Sequence, residues 1–97
     1  LEIANRRLIL SLVYAKQWEA ALPELISYLT IFPETEYAGE MYYLRGLTEA
    51  NTGSMDSAVQ SLGQALDRLT DPGMLETVKE AIRQINNRDT ERNIETP

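Results

Sequence analysis

The sequence predicts an all-α domain of antiparallel helix-turn-helix repeats, and three observations lead there. Apolar residues recur at spacings of three and four, the helical period, and strand-like alternation is nowhere sustained. Glycine and proline punctuate these stretches at Pro33, Gly53 and Pro72-Gly73. Finally, Trp18-Glu19-Ala20-Ala21-Leu22, continued by Leu25 and Tyr28-Leu29, returns as Met55-Asp56-Ser57-Ala58-Val59, continued by Leu62 and Ala65-Leu66. The pairs Ala21/Ala58, Leu25/Leu62 and Tyr28/Ala65 share one offset of 37 residues, which marks an internal repeat.

The first helix spans residues 2–15 and turns near Lys16-Gln17. The second runs from Trp18 to Ile31 and stops ahead of Pro33, because the residue before proline avoids helical geometry. Pro23 lies one turn inside it, removes a backbone donor and predicts a local bend. Thr35 is placed to cap a third helix over 36–52, with Glu36 and Glu40 near the positive end of its dipole. Gly53 closes that helix, and Ser54 stands ready to cap a fourth over 55–69. Asp71-Pro72, an acidic cap with proline at the first helical position, restarts the chain into a fifth helix over 73–87. On that helix Leu75, Val78, Ile82 and Ile85 share one face, while Glu76, Lys79, Glu80, Arg83 and Asn86 point elsewhere. Residues 88–97 are nearly devoid of apolar side chains and are expected to be disordered. The organisation is thus one domain over 1–87, with repeats at 2–33 and 39–72 and a capping helix at 73–87.

Composition narrows the function. A chain of 97 residues must draw its core from closely packed helices, and without cysteine no disulfide assists. A reducing cytoplasm and a periplasm both fit, so localisation stays open. Fifteen acidic against nine basic residues give a net charge of −6, which repels phosphate backbones and anionic lipid head groups. Nucleic acid is therefore not an expected partner, and no apolar run approaches the ~20 residues needed for membrane insertion. With no histidine and no cysteine, Ser-His and Cys-His nucleophiles and the usual zinc ligand sets cannot be assembled. Carboxylate pairs such as Glu34 with Glu36, or Glu76 with Glu80, lie in water-facing stretches and read as solvated surface. Glycines stand singly at helix boundaries, so neither a phosphate-cradling nor a calcium-binding loop is present. No cofactor, no metal and no catalysis are expected.

The repeated pattern resembles the tetratricopeptide repeat, a helix-turn-helix unit with small residues where its two helices meet. In the second copy Gly46 matches the small residue of the first helix, Ala58 the alanine of the second, Leu62 the bulky residue four further on and Ala65 the second small one. Pro72 falls two residues late. In the first copy Trp18, Ala21, Leu25 and Pro33 match the aromatic at the turn, the alanine, the bulky residue and the closing proline. Ile9 and Tyr28 depart from small positions, and the loop Pro33–Gly39 lengthens the period from the usual ~34 residues. The physical role of Gly46, Ala21 and Ala58 is to let helices approach closely. The resemblance covers Ile3 to Pro72 and implies a short right-handed solenoid of about two repeats plus a capping helix. The stretch Ile31-Phe32-Pro33-Glu34-Thr35-Glu36-Tyr37-Ala38 also looks like repeats of bacterial cell-envelope assembly proteins, which implies a periplasmic or envelope-associated setting.

Such solenoids hold peptides on an inner wall made mostly by the first helix of each repeat. Carried onto this chain, the resemblance places Ile3, Arg6, Leu10, Val13 and Tyr14 on that wall from the first helix, and Glu40, Tyr43, Leu47 and Asn51 from the third. Leu10 and Leu47 read equally as core; Tyr14 and Tyr43, aromatic with a polar tip, suit a half-wet surface. With Arg6 and Asn51 alone among the polar grips, a carboxylate clamp is not expected. The implied function is a non-catalytic scaffold binding a peptide or protein, as a segment of a larger protein. The alternative is an oligomerisation or spacer module. In its favour, Leu8 to Tyr14 is apolar almost all round, which suits a first helix packing on a preceding unit or a second copy.

Overall fold

The chain folds as α1 (Glu2–Tyr14), α2 (Trp18–Ile31), α3 (Ala38–Asn51), α4 (Met55–Arg68) and α5 (Pro72–Glu95). A computed structural model describes the backbone of residues 1–95 and the side chains of residues 1–88, and among the described residues there is no strand. Three-residue connections at 15–17, 52–54 and 69–71 make successive helices antiparallel neighbours. Each helix packs on the next, and α3 also touches α5, giving an all-α helical repeat arrangement.

The internal repeat governs the backbone as well as the side chains. Shifting α2 by 37 residues gives 55–68, the bounds of α4. Lys16 (φ 57°) and Gly53 (φ 90°), the same 37 residues apart, both end a helix with left-handed backbone. Glycine adopts this conformation freely, whereas Lys16 does so against its side chain, which is why the sequence advertises only the second of the two turns. The linker 69–71 is three residues shorter than 32–37, so α5 begins 72 − 38 = 34 residues after α3.

The core has two parts. Ile9, Val13, Ala21, Leu25, Tyr28, Leu29, Met41 and Leu44 form the first, between α1, α2 and α3. Ala58, Leu62, Ala65, Val78 and Ile85 form the second, and Tyr42 and Tyr43 of α3 pack against both. The closest helix contact is between α3 and α4. A Cβ on Gly46 would stand 2.7 Å from Leu62 Cγ and 3.1 Å from the Ala58 carbonyl oxygen. Two turns earlier, a Cβ on Gly39 would stand 2.8 Å from Leu69 Cδ2, so one stripe of α3 is kept bare for α4. In α1 the corresponding place is filled by the buried side chain of Ile9.

Several boundaries differ from expectation for identifiable reasons. Thr35 does not cap α3, whose N-cap is Tyr37. Its hydroxyl instead bonds Glu2 and accepts the Tyr37 N–H at 3.2 Å, building the turn that precedes the helix. Ser54 occupies the N-cap of α4 without a side-chain bond, whereas Asp71 accepts the Met74 N–H at 2.9 Å as the acidic cap predicts. Helix α2 continues through Pro23. The acceptor that Pro23 leaves without a donor belongs to Glu19, and both residues face solvent, where water replaces the lost bond. The segment expected to be disordered is helical through Glu95, while residues 96 and 97 lie outside the described residues. No proline or glycine interrupts 74–96, and Arg, Glu and Gln propagate a helix whether or not it buries anything.

Candidate functional site

Helical spacing brings side chains from three helices to one groove. Leu10, Val13 and Tyr14 project from one side of α1, and Glu40, Tyr43, Leu44 and Leu47 from one side of α3, in each case at intervals of three and four. Met74 from the first turn of α5, with Lys16 and Trp18 at the α1–α2 turn, completes a cleft of about 390 Å3. Beyond Tyr43 and Leu47 a shallower cleft of about 560 Å3 continues along α5 past Glu76, Thr77, Glu80 and Gln84. The floor is graded in exposure. Val13 is core, Leu10, Tyr43 and Leu47 are half-buried, and Tyr14 stands 82% exposed. Leu10 and Leu47 serve core and groove together, since both pack on the first cluster and line the cleft.

The remaining candidates from the sequence are placed differently. Arg6 is turned toward the start of α3, where Nη2 and Nε donate to the Glu40 carboxylate at 2.8 and 3.2 Å. Its guanidinium carbon lies 4.4 Å over the Tyr37 ring, so the side chain is spent on joining α1 to α3. The Glu40 hydrogen bonds raise its pKa further above its already high value. Asn51, at the last position of α3, donates to the Leu47 carbonyl at 2.8 Å and borders neighbouring clefts rather than the groove. Ile3 is exposed and is not part of the lining. Trp18, Leu44 and Met74 were not among the expected wall residues. Trp18 had a signal, lying four residues beyond Tyr14 across the turn; Met74 had none, because its position depends on the shortened second linker.

A polar network fixes α1 against the rest of the wall. Glu2 accepts a hydrogen bond from Tyr28 Oη at 2.7 Å and another from the Thr35 hydroxyl. Those bonds, from Thr35 first and Tyr28 second, hold the Glu2 carboxyl below the usual carboxylate range, while burial pushes the Tyr28 phenol up. Tyr28, which replaces a small residue of the repeat pattern, thus fills the core and reaches Glu2. On α5 the charges along the groove are paired, Glu76 with Lys79 and Glu80 with Arg83. The surface offered is an apolar and aromatic floor edged by these paired charges and by Lys16, which forms no ion pair among the described residues.

Among the described residues no cluster of three or more acids is arranged to hold a metal ion, and no helix is long and apolar enough to cross a membrane. No family model, curated protein or solved structure matches the chain.

Proposed function

We propose that this chain, which resembles tetratricopeptide repeats, is a non-catalytic protein-binding scaffold and a segment of a larger protein, taking a peptide or protein on the wall of α1 and α3 where α5 completes the groove. The observation that carries the reading is the convergence of Leu10, Val13, Tyr14, Glu40, Tyr43 and Leu47 on one cleft. Aliphatic and tyrosine side chains that run from half-buried to exposed, with charged residues at the rim, are the composition of a protein-binding surface. The ion pair Arg6–Glu40 and the bonds of Glu2 hold the α1 wall in place before a ligand arrives, which reduces the ordering cost of binding. The stretch Ile31–Ala38 is the sole support for an envelope setting.

A peptide array probed with the full chain tests the reading. Tyr43→Ala and Tyr14→Ala are expected to abolish binding of the selected peptides while helical circular dichroism is retained. Binding that survives both substitutions refutes it. The spacer or oligomerisation reading is favoured by a different surface, the outer side of α1.

A further inference from the structure

The free polar atoms of the groove between α1 and α3 are of one kind. Tyr14, Lys16, Trp18 and Tyr43 line it, and none of their side chains forms a hydrogen bond or ion pair among the described residues. No buried side-chain nitrogen or oxygen among the described residues lacks a partner, so these unbonded hydroxyl, ammonium and indole groups reach solvent. Lysine and tryptophan can only donate, and both tyrosine hydroxyls are free to do so. The acid of the cleft, Glu40, already accepts from Arg6 on each of its two oxygens. The groove therefore combines three aromatic rings with four unused donors.

That combination selects among ligands. A helix uses its backbone carbonyls for its own hydrogen bonds and would leave these donors unmet. An ordinary extended segment frees its carbonyls but brings an N–H with each, and among the described residues no strand edge is present to accept them. Proline meets both conditions: its ring is apolar, its carbonyl accepts, and it has no N–H. A run of prolines holds the polyproline II form, which makes no internal hydrogen bonds and packs on aromatic-lined grooves. Charge favours a ligand that carries little of it. The net charge of −6 opposes an acidic segment, and a cationic one would meet Lys16 where Glu40 is already paired. We infer that the groove takes a proline-rich segment of a partner protein in the polyproline II form, its carbonyls accepting from Tyr14, Lys16, Trp18 and Tyr43. The inference rests on the protein-binding reading of this groove. A second copy does not supply the segment, because the four prolines of the chain, Pro23, Pro33, Pro72 and Pro97, stand singly.

The probe is a fluorescein-labelled synthetic peptide of repeated Pro-Leu-Pro units, titrated with the full chain by fluorescence anisotropy. A control of equal length built from Ala-Leu-Ser units keeps the leucines and restores the N–H groups. The expected result is saturable binding of the proline peptide, about tenfold or more tighter than the control. Tyr14→Phe and Tyr43→Phe keep the rings and remove one hydroxyl each, and each is expected to weaken binding about threefold or more. The control peptide needs no protein variant, so a folding defect cannot imitate its effect. No saturation of the proline peptide up to about 1 mM overturns the inference, as does binding that neither phenylalanine variant weakens. Equal binding of the two peptides, lost on Tyr43→Ala, also overturns it but leaves the protein-binding reading standing. Binding of both peptides that survives Tyr14→Ala and Tyr43→Ala overturns the two together. Sedimentation that finds a dimer dissolved by Tyr14→Ala would overturn the inference as well, because a second copy would then be the occupant.

Discussion

Replacing Gly46 with alanine adds one methyl group at the closest approach of α3 and α4. That methyl would stand 2.7 and 2.8 Å from Leu62 Cγ and Cδ2 and 3.1 Å from the Ala58 carbonyl oxygen. Leu62 is 1% exposed, the contacts fall on its branch carbon as well as its tip, and the carbonyl belongs to the α4 backbone, so relief requires α4 to shift and not the Leu62 tip alone. Overpacking costs ~1–3 kcal/mol, and two carbon contacts this short place Gly46→Ala in the upper half of that range. Against it stands the ~1 kcal/mol by which alanine is preferred to glycine inside a helix. The net loss is ~1–2 kcal/mol, which lowers Tm by roughly 5–10 °C in a chain of this size. Gly63 on α4 is the matched control, because a Cβ there meets nothing within 4 Å. Gly63→Ala therefore gains helix propensity alone and raises Tm by a few degrees. Thermal unfolding followed by circular dichroism reads both. If the two substitutions shift Tm in the same direction, the close α3–α4 contact is refuted.

Three further substitutions probe the polar structure. Ser61 donates to the buried Glu49 carboxylate at 2.5 Å, so Ser61→Ala leaves a desolvated oxygen without its donor and is expected to cost ~1–3 kcal/mol in urea unfolding. Asp71→Ala removes the bond to the Met74 N–H and is expected to cost ~1 kcal/mol, with α5 amides exchanging faster with deuterium as the local signature. Glu2 titrates below its unfolded value, so the stability it contributes is complete above that value and disappears as pH falls through the depressed folded one. Acid unfolding of the parent chain should consequently steepen below the ordinary carboxylate pKa relative to Glu2→Gln, and parallel curves would contradict the assigned network.

The legible part of the fold was the part encoded locally. Trp18, Ile31 and Met55 bound helices where the pattern places them, because a turn and a proline interrupt the chain there. The shared offset of Ala21/Ala58 and Leu25/Leu62 extends to the helix limits because both copies satisfy the same packing problem. Tertiary partners were not legible. Thr35 has the right chemistry for a cap, and only the proximity of Glu2 and Tyr28 explains why its hydroxyl is used otherwise. Gly39 reads in the sequence as the end of a loop, and its need to be bare comes from Leu69, which packs against it.

The groove divides the same way. The resemblance to the tetratricopeptide repeat groups Leu10, Val13 and Tyr14 with Tyr43 and Leu47, and these five residues line one cleft. It could not separate Arg6 from them, because pairing with Glu40 is a contact between residues 34 apart. Nor could it exclude Asn51, which lies on the right stripe but at the end of α3, where the wall has already passed. Met74 entered through the three-residue connection 69–71, which sets the start of α5.

Photo-crosslinking tests the groove most directly. With p-benzoylphenylalanine in place of Tyr14, exposed on the groove, and separately in place of Ile26, exposed on α2, the chain is irradiated with a peptide selected from the array. The account predicts a crosslink from position 14, competed away by unlabelled peptide, and none from position 26. Equal yields at the two positions, or a crosslink from position 26 alone, would contradict it.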